Sequence, residues 1–241
     1  MYQKERSVIF MRIHGIQKLT LLDYPGKVAC TLFAGGCNFR CPFCHNASLV
    51  LPEHFDKPLE KDDVLSFLKK RQGLLDGVCL TGGEPLLQPN VNEFLKKVKS
   101  LGYFIKLDTN GSFPEKLKET VLSGAIDYVA MDIKNCEAKY AMTCGTDNLD
   151  FSKIKESIEF LLSGKIPYEF RTTVVREFHD LSTFREIATL ISGAENYFIQ
   201  GFVSSDNMIG SGYSGYTKEE LNSFADIVRP HVKNISIRGI D

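Results

Sequence analysis

The sequence has almost no net charge. Its 29 Lys and Arg stand against 30 Asp and Glu, a formal −1, so no global field draws the chain toward nucleic acid or an acidic membrane. It also lacks any apolar run approaching the length needed to span a bilayer. The opening stretch, MYQKERSVIFMR, has no apolar segment long enough for a secretory signal. Together these absences predict a cytoplasmic protein with no nucleic-acid and no membrane partner, and residues 1–12 read as an N-terminal extension. No repeat of fixed period, low-complexity tract or linker divides the 241 residues, so positions 1–241 read as one domain. The hydrophobic fraction of 43% is enough to bury a substantial core.

What is present is an alternation. Apolar extended runs occur at 28–34, 77–81, 103–108, 126–133, 168–175 and 196–203. Amphipathic stretches lie between them, behind start signals such as Asn90-x-x-Glu93, Ser112-x-x-Glu115 and Thr217-x-x-Glu220, with stops at Gly124, Gly164, Gly193 and Pro230. Strand–helix alternation implies a parallel sheet, because each helix supplies the crossover that parallel strands need. Charged residues collect toward the C-terminal ends of several strands: Lys106 and Asp108, Asp132 and Lys134, Glu169 and Arg171. A barrel-like sheet gathers such ends around one mouth. The predicted class is α/β, a partial (β/α)6 TIM-like barrel.

Seven cysteines in a chain without an export signal belong to a reducing compartment, where clustering points to metal or catalysis rather than disulfides. Three of them, Cys37, Cys41 and Cys44, fall within eight positions, in a loop opened by Gly35-Gly36 after the first strand. Three thiolates on a short loop can hold three irons of a cubic [4Fe–4S] cluster and leave the fourth iron open. A zinc site would want a fourth ligand, and His45, adjacent to Cys44, is badly placed to be one. Three structural cysteines are the remaining alternative, against which Asn38, Arg40, Pro42 and the glycines read as exposed loop. Cys30 and Cys79 read as small buried residues within strands, and Cys136 and Cys144 are too sparse for a second cluster.

C-x3-C-x2-C with an aromatic, Phe43, before the last Cys resembles the defining motif of the radical S-adenosylmethionine superfamily. A second segment, LTGGEP at residues 80–85, supports the likeness. By itself it is an ordinary strand-to-helix turn, in which paired glycines let the backbone approach a ligand. In this superfamily the corresponding segment binds the methionyl amino group, which implies that role for Gly82, Gly83, Glu84 and Pro85.

The segments KLDTNG (106–111) and AMDIK (130–134), and the CHN of residues 44–46, resemble the glycyl-radical-activating branch. Clustering at one sheet edge favours a ligand pocket. Lys134 can neutralise the cofactor carboxylate or bond the ribose, Asp132 can accept from a hydroxyl, and Asp108 can orient Lys134 or hold a small cation. His45 reads equally as a solvated loop histidine or a contact to cofactor or electron donor. Arg171 reads equally as a cofactor ligand or as an ion pair with Glu169 or another strand-end carboxylate. Gln200 is a candidate for the adenine or ribose; the histidine that some activating enzymes carry near this point is absent here.

The stretch from Ile13 to Asn46, with LLDYPGK before the first strand, is most similar to activating proteins of anaerobic ribonucleoside-triphosphate reductase. The resemblance implies a radical SAM oxidoreductase that takes an electron from flavodoxin or ferredoxin. It would cleave S-adenosylmethionine reductively at a [4Fe–4S] cluster and generate a glycyl radical on a partner enzyme. Activation of another glycyl radical enzyme of the pyruvate formate-lyase type, chemistry on a small molecule, and a non-catalytic metal-binding module are the alternatives, in that order.

Overall fold

The computed structural model describes residues 11–239. Of the expected extension at 1–12, positions 1–10 lie outside that range. Met11 is buried in the core, and Arg12 is held by a backbone bond from Gly35 and by the Gln88 side chain.

The described residues form one eight-stranded sheet whose spatial order is the chain order. Its strands are β1 (Ile13–Thr20), β2 (Ala29–Ala34), β3 (Gly77–Gly82), β4 (Phe104–Thr109), β5 (Tyr128–Asp132), β6 (Tyr168–Val174), β7 (Asn196–Gly201) and β8 (Asn234–Arg238). β1 runs antiparallel to β2, and every later pair is parallel. The crossovers carry helices α1 (Ala47–Val50) and α2 (Lys61–Lys70), α3 (Val91–Lys99), α4 (Pro114–Leu122), α5 (Glu137–Cys144) and α6 (Phe151–Leu162), α7 (Leu181–Leu190), and α8 (Lys218–Val228). Right-handed crossovers that always step in one direction put all their helices on one face of the sheet. This is the topology of a partial (β/α) barrel, with β1 and β8 as its open edges among the described residues. No helix among them is long and apolar enough to cross a membrane.

The two faces of the sheet differ in chemistry because side chains alternate along each strand. Val129 and Met131 of β5 and Phe170 of β6 enter the hydrophobic core under the helices. Their neighbours Asp132, Glu169 and Arg171 point to the other, concave side. The six strands read from the sequence are therefore present, and two more join them. β1 and β8 escaped the reading because an edge strand buries little: Gln17, Lys18 and Leu19 are exposed, as are Asn234 and Ser236.

Two start signals turned out differently. Thr217 and Glu220 form the reciprocal capping box of α8 as expected. Ser112 does not cap α4, which begins after Phe113 with Pro114 at its first position. Its hydroxyl donates instead to Asn110 Oδ1 (2.6 Å) and accepts from Asn38 Nδ2 (2.9 Å), tying the end of β4 to the cysteine loop. α5 was not foreseen, because its buried face (Tyr140, Thr143, Cys144) carries little apolar periodicity.

The loop after β2 and the turn after β3 approach each other backbone to backbone. Gly83 N–H donates to Ala34 O and Glu84 N–H to Gly36 O, each at 2.8 Å. Gly82 has φ +113°, and a Cβ there would sit 2.4 Å from Ala34 O; at Gly83 it would sit 2.1 Å from Gly36 O. Only glycine permits this contact. Gly82→Ala and Gly83→Ala should each lower unfolding stability in urea by about 2–4 kcal/mol, combining overpacking with backbone strain.

Candidate active site

All the parallel strands deliver their C-terminal ends to one mouth, and a cleft opens there. Cys37, Cys41 and Cys44 line it from the loop after β2, Gly82 and Gly83 from the end of β3, and Asp108 from β4. Asp132 and Lys134 enter from β5 and just beyond, Arg171 from β6 and Gln200 from β7. Ten of the sequence candidates therefore share one cavity although they span 164 positions of chain, from Cys37 to Gln200.

The cysteine loop is folded tightly enough to fix its sulfurs. Arg40 Nη1 donates to the carbonyls of Cys37 (2.6 Å) and Phe39 (2.8 Å), and Cys44 N–H donates to Cys41 O (3.0 Å). Cys37 Sγ accepts from Phe39 N–H at 3.3 Å and from Asn110 Nδ2 at 3.9 Å. Burial pushes the Cys37 thiol up to about 12 and raises Cys44 as well. Cys41 moves the other way: a hydrogen bond from the Cys144 thiol and the charge of Lys134 outweigh burial and hold it below the usual thiol value. Among the described residues, no group of three His, Cys, Asp or Glu side chains is placed around a single metal ion. Three thiols on the wall of one cleft can each take a separate corner of an iron–sulfur cluster.

A chain of charges also reaches the cleft, its Lys134 end near Cys41. Lys106 Nζ pairs with Asp108; Asp108 Oδ2 accepts from Arg171 Nη1 (3.1 Å); Arg171 Nε donates to Asp132 Oδ1 (3.0 Å); Lys134 Nζ donates to Asp132 Oδ2 (3.0 Å). Burial works against ionisation of both carboxylates, but Arg171 with Lys106 holds Asp108 below its ordinary range. Arg171 with Lys134 likewise brings Asp132 down to about 2. Three cations facing two carboxylates leave one positive charge unbalanced, and Lys134, at the end of the row, lies on the cleft wall.

Several expectations are corrected. Of the strand-end carboxylates expected for it, Arg171 pairs with Asp108 and Asp132, whereas Glu169 accepts from Tyr128 and Arg238. Asp108 orients Arg171 and Lys106, not Lys134. Glu84 and Pro85 are buried behind the cleft rather than lining it. Glu84 receives hydrogen bonds from Leu86 N–H (3.0 Å), Thr109 Oγ1 (3.0 Å) and Asn110 N–H (2.7 Å). It is a brace between the ends of β3 and β4, and burial nevertheless drives its carboxyl up to about 7. Phe43 is buried and packs on Phe178 and Phe202, with ring centroids 5.4 and 6.4 Å away. His45 is exposed and stacks on Phe202 at 5.4 Å, outside the cleft.

Sequence reading missed Asn46, Thr81, Thr109 and Asn110, all on the cleft wall. Each lies within or beside a segment already singled out, so the segments carried the signal and the individual positions did not. Asn46 Nδ2 donates to Gly82 O (3.3 Å), joining the cysteine loop to the glycine turn.

Replacing Arg171 with Met should strand two half-buried carboxylates. In the parent both have depressed values, so their stabilisation is complete above the ordinary carboxylate range and is lost as pH falls through the lowered values, about 2 for Asp132. In Arg171→Met those values rise, reversing the slope: the loss of about 3 kcal/mol expected at pH 7 should shrink as pH is lowered to 5. Urea unfolding at the two pH values measures this.

Residues 31–191 match the family model described as Radical SAM superfamily. A protein of Methanocaldococcus jannaschii, provisionally named a glycyl-radical enzyme activating enzyme, is 31% identical over 95% of this chain and 96% of its own length. The pyruvate formate-lyase-activating enzyme of Clostridium pasteurianum is 31% identical over 63% of this chain and 65% of its own. Among solved structures, SuiB of Streptococcus suis superposes with a TM-score of 0.68 at 12% identity, covering 85% of this chain and 47% of that one, a likeness of fold alone. Enzymes of this superfamily work with a [4Fe–4S] cluster and S-adenosylmethionine, and the donor set of the cleft fits both: three thiols for the cluster, and an unbalanced cation and a glycine turn in the same cleft for an amino-acid head group. The chain belongs to the radical SAM superfamily.

Proposed function

We propose that this enzyme generates a glycyl radical on a partner polypeptide, with anaerobic ribonucleoside-triphosphate reductase as the partner. The observation that carries the reading is the meeting of three cysteine sulfurs, the Gly82-Gly83 backbone and the Lys134 end of the charge row in one cleft. Two named activating enzymes among its relatives, one matched along nearly its whole length, support the reaction type. The partner rests on the likeness of residues 13–46 to reductase activators. Pyruvate formate-lyase is the second reading, supported by the Clostridium pasteurianum relative.

In this reading Cys37, Cys41 and Cys44 hold the cluster. A reduced cluster held there would supply one-electron reductive cleavage of S-adenosylmethionine, the chemistry that abstraction of a glycine Cα hydrogen requires. The chain's own part is placement and exclusion of water. Lys134 neutralises the methionyl carboxylate. The Gly82-Gly83 turn offers backbone groups to the amino end, and Glu84 and Asn46 hold that turn in position. Asp108 and Asp132 keep Arg171 and Lys134 aimed, since a lysine without a fixed partner would sample several rotamers. Gln200, which accepts from Thr173 Oγ1 (3.3 Å), stands on the far wall, where the nucleoside end would lie. Exposed His45, beside the cluster loop, marks the face where reduced flavodoxin or ferredoxin would dock. Residues 1–241 act as one domain.

Anaerobically reconstituted protein, given dithionite and S-adenosylmethionine, should release 5′-deoxyadenosine. With purified reductase it should produce a glycyl doublet by electron paramagnetic resonance. Cys41→Ala should lower both to background. A reconstituted parent that leaves the nucleotide intact would refute the chemistry, whereas a doublet with pyruvate formate-lyase alone would reassign the partner.

A further inference from the structure

β8 closes the sheet and has a neighbour on one side. It pairs in parallel with β7, from Asn196 with Asn234 to Gln200 with Arg238, and among the described residues no strand lies along its other edge. Backbone N–H and C=O groups are therefore open in a row there. Folded proteins often blunt such a row with proline, a bulge or a covering segment. Asn234–Arg238 contains no proline, and its register with β7 has no bulge.

A groove runs along this edge. Ile235, Ser236 and Ile237 form one wall; Lys218, Asn222 and Ala225 of α8, with Arg229 just after it, form the other. Successive side chains of a strand point to opposite faces. A groove touched by three consecutive residues therefore follows the strand's edge and not one of its faces. The helix positions fall on a single stripe, because residues three and four apart are neighbours on a helix surface. They flank the buried stripe of Leu221, Phe224 and Val228 that holds α8 on the core. Ala225 is buried, and its short side chain leaves the middle of the groove open.

A channel between a strand edge and a helix is the shape in which an extended peptide adds to a sheet. The charge of this one is of a single sign: two cations and, among the described residues, no carboxylate line it. Lys218 makes no ion pair among the described residues. Arg229 has Asp226 at 3.5 Å, but both side chains are exposed and such a pair is worth little. From Lys218 to Arg229 the helix rises ~16 Å, close to the length of an added strand of about five residues. The groove also leads to the cleft. Arg238 sits opposite Gln200, which lines the cleft wall, so a chain laid along β8 leaves the sheet at the same mouth.

We propose that the groove between α8 and the free edge of β8 docks an extended acidic segment of the partner polypeptide. The segment adds to β8 as a further strand, with carboxylate side chains at i and i+4 facing Lys218 and Arg229. The even spacing puts both on the side toward the helix. The inference rests on the reading above that the enzyme acts on another polypeptide. Main-chain hydrogen bonds to β8 hold the segment, the two cations select its charge, and the chain beyond it is delivered to the cleft.

The test compares the reconstituted parent with the double variant Lys218→Glu/Arg229→Glu, whose positions are exposed and outside the cleft. Without a partner, both should release 5′-deoxyadenosine from S-adenosylmethionine at the same rate. Purified anaerobic ribonucleotide reductase and pyruvate formate-lyase are then each titrated in, and the one that yields the glycyl doublet is used. Its half-saturating concentration should rise about tenfold or more in the variant, since two attractive contacts become repulsive. Amide hydrogen exchange across residues 234–238 of the parent should slow when that partner is added. A variant with the parent's half-saturation overturns the proposal, and so does exchange at 234–238 that the partner leaves unchanged. Should the double variant misfold, Lys218→Gln/Arg229→Gln decides: a raised half-saturation supports the docking, and an unchanged one overturns it. Slow exchange across 234–238 in the free parent would mean that the edge is already held. A dimer in sedimentation then assigns it to a second copy and a monomer to residues 1–10, and either overturns the proposal. A parent that yields a doublet with neither partner refutes the proposed function, and the inference with it. A parent that yields one while the variant and the exchange stay unaffected refutes the inference alone.

Discussion

The concave face of the sheet has to keep charges in place without water, and the row from Lys106 to Lys134 is how it does so. Each of its two carboxylates touches two cations, and Arg171 in the middle touches both carboxylates. Such a buried array is weak evidence for stability, because desolvation offsets most of its Coulombic gain. What it does supply is geometry. The guanidinium is planar and its donors are fixed in direction, so β4, β5 and β6 are held in one register at the level of the cleft. Lys134 inherits its direction from Asp132, and the cleft acquires a cation that cannot swing away.

The opposite wall is built from backbone. Gly82 and Gly83 allow β3 and the cysteine loop to share hydrogen bonds at a separation no side chain would tolerate. Asn46, Asn110 and Ser112 then tie the loop to the ends of β3 and β4. Glu84 belongs to this wall although its side chain never reaches the cleft: its three accepted hydrogen bonds set where Thr109 and Asn110 sit. The site is thus rigid on one side through ion pairs and on the other through glycine packing, as a catalyst that works by placement requires.

The alternation of apolar runs and capped helices was strong enough to read the central strands and most helices from the chain alone, because buried parallel strands and amphipathic helices leave distinct periodicities. It failed where burial is slight. β1 and β8 are edges, and α5 packs through Thr143 and Cys144, which carry no hydrophobic signal. Local chemistry was also legible in segments: the three cysteines, the glycine pair and the strand-end charges all reached the same cleft. Within those segments the reading could not tell which side chains turn inward. Phe43 and His45 flank Cys44, yet one is buried among aromatics and the other is exposed.

The sequence by itself determined the fold class and marked out the cysteine loop, because periodicity and spacing are properties of neighbours along the chain; the family followed from the resemblance of its motifs. Only the tertiary structure decided who pairs with whom. Arg171 could have met Glu169 two residues away, but alternation places both on the concave face at different heights, and the register with β5 sets Arg171 level with Asp132. The backbone of Cys144 meets that of Arg40 for the same reason. Contacts between distant positions are fixed by strand order and helix placement, and no local pattern encodes them.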